Sequence, residues 1–292
     1  MQVRSLLRKG KVVLNKDFII TAELQPPKGP SVDEFLNKAH ILKTKVDALN
    51  VTDNQRAIVR LSSLAGCAML VREGITPVFQ ITCRDRNRLA IQSDLLGAHA
   101  LGIRNVLAIT GDDISIGDHR GAKQVFDIDS IQLISIIAGL NKGITAGGSS
   151  LAGHTDFNIG ATLNPFARPE ELNMMRFEKK SMAGAKFFQT QPIYDINAFK
   201  KFMEKVKDKE VKIIAGILVL KSAKMAHFLN KNLPGVHVPF ALIKELETSY
   251  DPKKKGLEIA ARTIQTLKGI AHGVHIMAMG MEERIPEILE MV

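Results

Sequence analysis

Polar side chains stand at the ends of several short β-branched runs, and acids are among them. Glu23 closes the apolar run that starts at Phe18 and leads into Gln25-Pro26-Pro27. A carboxyl group in such surroundings loses hydration, which raises its pKa and suits it to general-acid work near neutral pH. An ion pair with a basic side chain from a neighbouring strand is the other reading, and the residues alone leave both open. Asp112 follows Thr110-Gly111, where glycine permits a tight turn and close approach of a ligand to backbone amides. The simpler reading is a turn aspartate that stabilises its own loop. Thr52 and Asp53, Gln80 and Thr82, Asn164 before Pro165, and Gln191 before Pro192 occupy comparable positions. Arg168 and Lys180 are solvated charges by default, yet both are suited to a pyrophosphate. His119 and His275 read as a surface and a core histidine, and no His/Cys/Asp set is spaced for a metal.

These groups need a scaffold that brings strand ends together. Candidate strands are Phe18–Leu24, Val46–Thr52, Thr76–Thr82, Asn105–Thr110, Asn158–Leu163, Lys186–Gln191, Val211–Ile217 and Val274–Met279. Between them lie helical patterns, such as Val32, Phe35, Leu36, Ala39 and Leu42 on one face. Ser31 and Glu34 are spaced as a capping box after Pro30, and Asp195 is placed to cap the helix after the sixth strand. The Gly111–Phe157 connection holds a helical stretch near Asp129–Leu140 and a Gly/Ser-rich piece over 147–153. Loops of that length are usually functional or mobile. A long helical passage, Phe240–Ala271, precedes the last strand.

Alternation of strand and helix implies parallel pairing through right-handed crossovers. Eight units without a break in composition predict an α/β fold, a single (β/α)8 TIM barrel over residues 1–292, with residues 1–16 as an N-terminal extension. An open doubly wound sheet is the rival, weakened because no G-x-G-x-x-G follows the first strand. In a parallel barrel the site lies at the C-terminal strand ends, so the polar groups above would form one ring.

Composition narrows the function classes. The chain has 292 residues, 45% hydrophobic and 24% charged, as expected of a globular protein. No apolar stretch is long enough to span a bilayer, and Met1 to Lys16 lacks the pattern of a secretory leader, so the expected location is the cytoplasm. Net charge is +10, but aromatic residues are only 5% and tryptophan is absent, which argues against a nucleic-acid partner. Such a field suits anionic small molecules such as a dinucleotide or a polyglutamylated folate. Cys67 and Cys83 are too few for a disulfide scaffold or an internal iron–sulfur cluster and read as small buried residues.

Taken in order, the motifs resemble the methylenetetrahydrofolate reductase family, and most closely its branch from anaerobic and acetogenic prokaryotes. The resemblance rests on Thr21-Ala-Glu-Leu-Gln-Pro-Pro27, Val51-Thr-Asp-Asn-Gln55, Gln80-Ile-Thr-Cys83, Ile109-Thr-Gly-Asp112, Asn164-Pro165, and Gln191 within Thr-Gln-Pro-Ile-Tyr-Asp. Gly216-Ile217-Leu218 and His275 continue it. It implies a flavin enzyme, with FAD in preference to FMN, that reduces 5,10-methylene-tetrahydrofolate to 5-methyl-tetrahydrofolate. It places Glu23 at the general-acid position and Asp112 beside the flavin pyrimidine and the pterin. Gln191 falls at the substrate-orienting glutamine. Thr52, Gln80, Thr110, Gly111, Asp112, Asn164, Arg168 and Lys180 fall on flavin-binding positions, with Gln80 where relatives often have histidine. The aromatic that relatives place after the seventh strand is met here by Ala223 or a neighbour. Met277 and Met281 replace a tyrosine and an arginine. Electrons would therefore come from NAD(P)H or through an iron–sulfur partner subunit, in an oligomer or hetero-complex. The alternatives are a flavin barrel of the proline dehydrogenase type and a non-catalytic pterin-binding subunit.

Overall fold

A computed structural model describes residues 16–233 and 235–292. The expected extension over residues 1–16 lies, apart from Lys16, outside the described residues. Eight parallel strands close into a barrel in sequence order. They are β1 (Ile19–Leu24), β2 (Ala48–Val51), β3 (Pro77–Thr82), β4 (Asn105–Ile109), β5 (Asn158–Leu163), β6 (Phe187–Pro192), β7 (Lys212–Leu218) and β8 (Gly273–Met277). Each falls on an expected strand, with ends shifted by a residue or two, and the open-sheet alternative is excluded because β8 pairs with β1.

Ten helices surround the strands: α1 (Asp33–Leu42), α2 (Ser63–Arg72), α3 (Arg88–Ala100), α4 (Ser130–Asn141), α5 (Glu170–Ala183), α6 (Ile196–Val206), α7 (Ala223–Asn232), α8 (Phe240–Thr248), α9 (Pro252–Leu267) and α10 (Ile285–Glu290), counted among the described residues. Asp195 caps α6 as expected, its carboxylate accepting from the Ala198 amide at 2.9 Å. Asp129 and Gln132 form a reciprocal capping box at α4. The expected box at α1 does not form. That helix begins one residue late, with Val32 at its N-cap and no side-chain cap bond. Glu34 is instead drawn along the helix to Lys38 at 2.8 Å. The long helical passage before β8 is two helices, α8 and α9, broken at Ser249 to Asp251.

Side chains alternate across each strand, so the barrel has two apolar surfaces. Ala22, Leu49, Phe79, Val106, Ala161, Phe188 and their neighbours point outward into the main core under the helices. Ile19, Ala48, Val78, Leu107, Phe187 and Ile214 point inward and fill the floor. Above them comes a polar layer. The Asn50 Nδ2 donates to Gln189 Oε1 at 2.7 Å, and Gln189 Nε2 donates to Asn50 Oδ1 and to Thr21 Oγ1. The Thr21 hydroxyl lies 2.9 Å from His275 Nδ1. Burial holds His275 neutral, its pKa lowered to about 3. It is thus a core histidine, while His119 is exposed. Both cysteines are buried and unpaired, and burial raises the pKa of each.

Candidate active site

The third layer opens at the C-terminal strand ends into a cavity of about 350 Å³. Glu23, Gln80, Thr110, Gly111, Asp112 and Gln191 all line it, so the ring expected from the sequence does converge. Glu23 is half-buried. Its carboxyl oxygens receive only the Gln55 carboxamide, at 3.2 and 3.3 Å, and no cation among the described residues pairs with it. The ion-pair reading of Glu23 therefore gives way to the desolvated acid. Burial pushes its pKa up to about 7, against the lowering effect of Gln55 and with a small further push from Glu282.

Asp112 is exposed at the rim, and its Oδ2 accepts from the Arg56 amide at 2.8 Å. It does not brace its own loop, as the simpler reading had it, but ties the β4 turn to the loop after β2, and it also faces the cavity. Gly111 before it has φ +94°. A Cβ there would lie 3.0 Å from Arg84 Cβ and 3.1 Å from Thr82 Cβ, filling a cradle between two cavity-lining residues. Gln191 enters the mouth through a register irregularity between β6 and β7. The Gly216 amide donates to Thr190 Oγ1 at 2.9 Å there, in place of a ladder bond.

The remaining expected ligands lie outside the cavity lining. Thr52 is buried at the end of β2, and its Oγ1 has no hydrogen-bond partner. Asn164 Oδ1 accepts from the Phe166 amide at 3.1 Å, and Asn173 donates to its carbonyl. Arg168 is exposed and pairs with Glu170 at 3.3 Å. Lys180 reaches back from α5 to donate to the Thr162 carbonyl at 2.8 Å, and burial lowers its pKa, aided by Arg176.

Sequence reading placed Asp53 among the strand-end groups but missed Arg84 and Arg86, which complete a charged frame beneath the rim. Asp53 is buried; it receives two of the three Arg86 guanidinium nitrogens at 2.8 and 3.1 Å, and also the Thr82 amide and hydroxyl. Arg84, just 1% exposed, is clamped by Asp85 and donates to the carbonyls of Asn54 and Asp112. Alternating charges in Thr82-Cys-Arg-Asp-Arg86 were the signal, and on a loop such a run reads by default as solvated. Gln55 was also missed, because nothing in its neighbours marks it as the partner of Glu23.

A parallel (β/α)8 barrel with a desolvated carboxyl, an amide and a rim carboxylate around one open mouth has the form of a barrel enzyme. No group of three or more metal-type ligands occurs among the described residues. Residues 8–292 match the model of the methylenetetrahydrofolate reductase family, and the chain belongs to that family. A Caenorhabditis elegans protein named probable methylenetetrahydrofolate reductase (NADPH) is 27% identical over 244 residues, covering 80% of this chain and 34% of the relative. A Salmonella typhimurium protein named 5,10-methylenetetrahydrofolate reductase is 22% identical over 233 residues, covering 76% of this chain and 72% of the relative. The chain thus spans about a third of the eukaryotic relatives it matches, 34% and 35% of the first two. Among solved structures, a Clostridium thermocellum protein described as binding two copies of 5-methyl-5,6,7,8-tetrahydrofolic acid shares the fold. Its TM-score is 0.63 at 18% identity, over 94% of both chains. An EDTA monooxygenase from Chelativorans sp. BNC1 shares it at 0.57 and 8% identity, over 94% and 93%.

Proposed function

We propose that this chain reduces 5,10-methylene-tetrahydrofolate to 5-methyl-tetrahydrofolate in a flavin-dependent reaction, with FAD as the cofactor in preference to FMN. Family membership supports the reaction, and the folate ligand of the Clostridium thermocellum protein supports the substrate class. The observation that carries the reading is Glu23, a half-buried carboxyl held near pKa 7 without a cation, in one cavity with Asp112 and Gln191.

The residues present fit a flavin. A small residue at Gly111 leaves the cradle open, and the unpartnered Thr52 Oγ1 is a buried polar atom of the kind a cofactor or water satisfies. Gln80, Thr110, Gly111 and Asp112 line the cavity and would hold it there, with Thr52, Asn164, Arg168 and Lys180, outside that lining, as its further expected contacts. When bound and reduced, a flavin supplies a hydride. The protein's part is proton handling and orientation. Opening the imidazolidine ring of the substrate needs a proton on the departing nitrogen. Glu23 is protonated over much of the neutral range, so it supplies that proton, a contribution of ~10²–10⁴ in rate. Asp112 has acceptor oxygens for the amino edge of a pterin, and Gln191 offers an amide with both donor and acceptor. Electrons come from NAD(P)H or through an iron–sulfur partner subunit, and Ala223 or a neighbour, where relatives place an aromatic against the nicotinamide or the folate, favours the partner.

The test is anaerobic. The purified protein should be yellow, bleach on reduction, and recolour when methylene-tetrahydrofolate is added; bleaching by proline would select the proline dehydrogenase reading. Supplying NADH, NADPH and reduced ferredoxin in turn identifies the donor. In Glu23→Gln, flavin binding is kept, while recolouring slows at least ~100-fold. A near-normal rate removes Glu23 from the acid's role.

A further inference from the structure

Between β2 and α2 the chain makes a turn that contacts both carboxyl groups of the site. Asn54, Arg56 and Ala57 all have left-handed backbone, with φ of 44°, 58° and 52°. None is glycine, and such residues stay there only when surrounding bonds hold them. Those bonds are present. Arg84 donates to the Asn54 carbonyl at 3.2 Å, and the Arg60 amide donates to Asn54 Oδ1 at 3.0 Å. The Arg56 amide donates to Asp112, the Val59 amide to Asp118, and the Asp118 amide to the Ala57 carbonyl. The neighbouring loop approaches so closely that a Cβ at Gly117 would lie 1.9 Å from the Ala57 oxygen.

Gln55 is the residue this turn presents to the cavity. Gln25 Nε2 donates to its Oε1 at 3.0 Å, which leaves its Nε2 to donate to both oxygens of Glu23. With Glu23 ionised, reversing the amide would set oxygen against carboxylate oxygen. We infer that Gln55 is a positioning residue that orients Glu23 and sets how firmly it holds its proton, with the Asn54–Ala57 turn tying that setting to Asp112. A donor to the ionised carboxylate favours ionisation and so opposes the effect of burial. Among the other charged groups around Glu23, Asp53 is matched by Arg86 and Arg84 by Asp85, and His275 is neutral. Glu282, though 3.2 Å from Lys38, still adds a small upward push, and the Asp112 carboxylate in the same cavity is held by the Arg56 amide. Gln55 is thus the adjustable partner.

The inference rests on the proposed reading for its catalytic meaning, but its test does not. Protein labelled with ¹³C at glutamate carboxyls is titrated by NMR, with Glu23 assigned through Glu23→Gln. The wild-type midpoint is expected at about 7. Gln55→Met keeps the side chain's length but removes the donor, and should raise the midpoint by on the order of half to one pH unit. Gln25→Ala, at an exposed position, should raise it by less, and it decides the matter if the methionine variant does not fold. A midpoint that stays put or falls in the folded variants overturns the inference. In turnover, the basic limb of the kcat profile should move up with the NMR midpoint in Gln55→Met, while KM changes less than ~2-fold. If the wild type shows no turnover at all, the proposed reaction fails, and the titration still judges Gln55.

Discussion

At the residue scale, Glu23 links stability to the proposed chemistry with a definite sign. Its pKa is raised from 4.5 in the unfolded chain to about 7 in the fold. The folded state therefore holds a proton that the unfolded state has already lost between those values. Stability from this group is fully present below pH 4.5 and is lost as pH rises to about 7. Glu23→Gln removes the loss. Its denaturation midpoint should match wild type at pH 4 to 5 and exceed it at pH 8, as read by urea unfolding at each pH. Equal differences at both pH values would mean Glu23 titrates normally. This group was legible as a strand-end acid because an apolar run ends in it, and only the fold, which pairs it with Gln55 and no cation among the described residues, separates the desolvated acid from the ion pair. Gln55 was not, since its role depends on left-handed backbone at Asn54, Arg56 and Ala57. Those residue types do not announce that conformation.

At the scale of elements, strand positions were legible because each is a short β-branched run bounded by turn residues. Loop conformation was less so. The α1 cap failed by one residue, a slip that spacing alone cannot detect when Ser31 and Val32 precede the helix and Asp33 opens it. The turn after β4 was read correctly from its glycine, and it carries a prediction. In Gly111→Ala the side chain must accept φ +94° and meet Arg84 and Thr82 at about 3 Å. The expected cost is ~1–3 kcal/mol of stability, with weaker flavin retention on gel filtration. Stability and flavin content both unchanged would show that the turn relaxes freely.

At the scale of the whole molecule, the order of layers inside the barrel governs what the site can be. Apolar side chains close the floor, so the mouth is a cavity and not a channel. Phe187 is the largest of these, 2% exposed among Ile19, Val78 and Ile214. Phe187→Ala should cost ~3–5 kcal/mol, measured by chemical denaturation. A loss under ~1 kcal/mol would mean the floor repacks around the gap. The apolar floor was foreseeable from alternation along each strand, whereas the charged frame of Asp53, Arg84 and Arg86 was not. It pairs residues from separate loops, and only closure of the barrel brings those loops together.

The polar girdle above that floor has a further implication. Thr21 Oγ1 receives Gln189 Nε2 at 3.3 Å and stands 2.9 Å from His275 Nδ1, nearer than the Val274 carbonyl at 3.4 Å. Its one hydroxyl hydrogen and the imidazole proton are coupled: given to Nδ1, the hydrogen goes with the Nε2–H tautomer, and turned to the Val274 carbonyl it goes with Nδ1–H. In either case the hydroxyl accepts from Gln189, whose amide exchanges hydrogen bonds with Asn50. The placement of one hydrogen atom on a neutral ring thus decides whether its Nε2 is a donor or an acceptor at the base of the mouth.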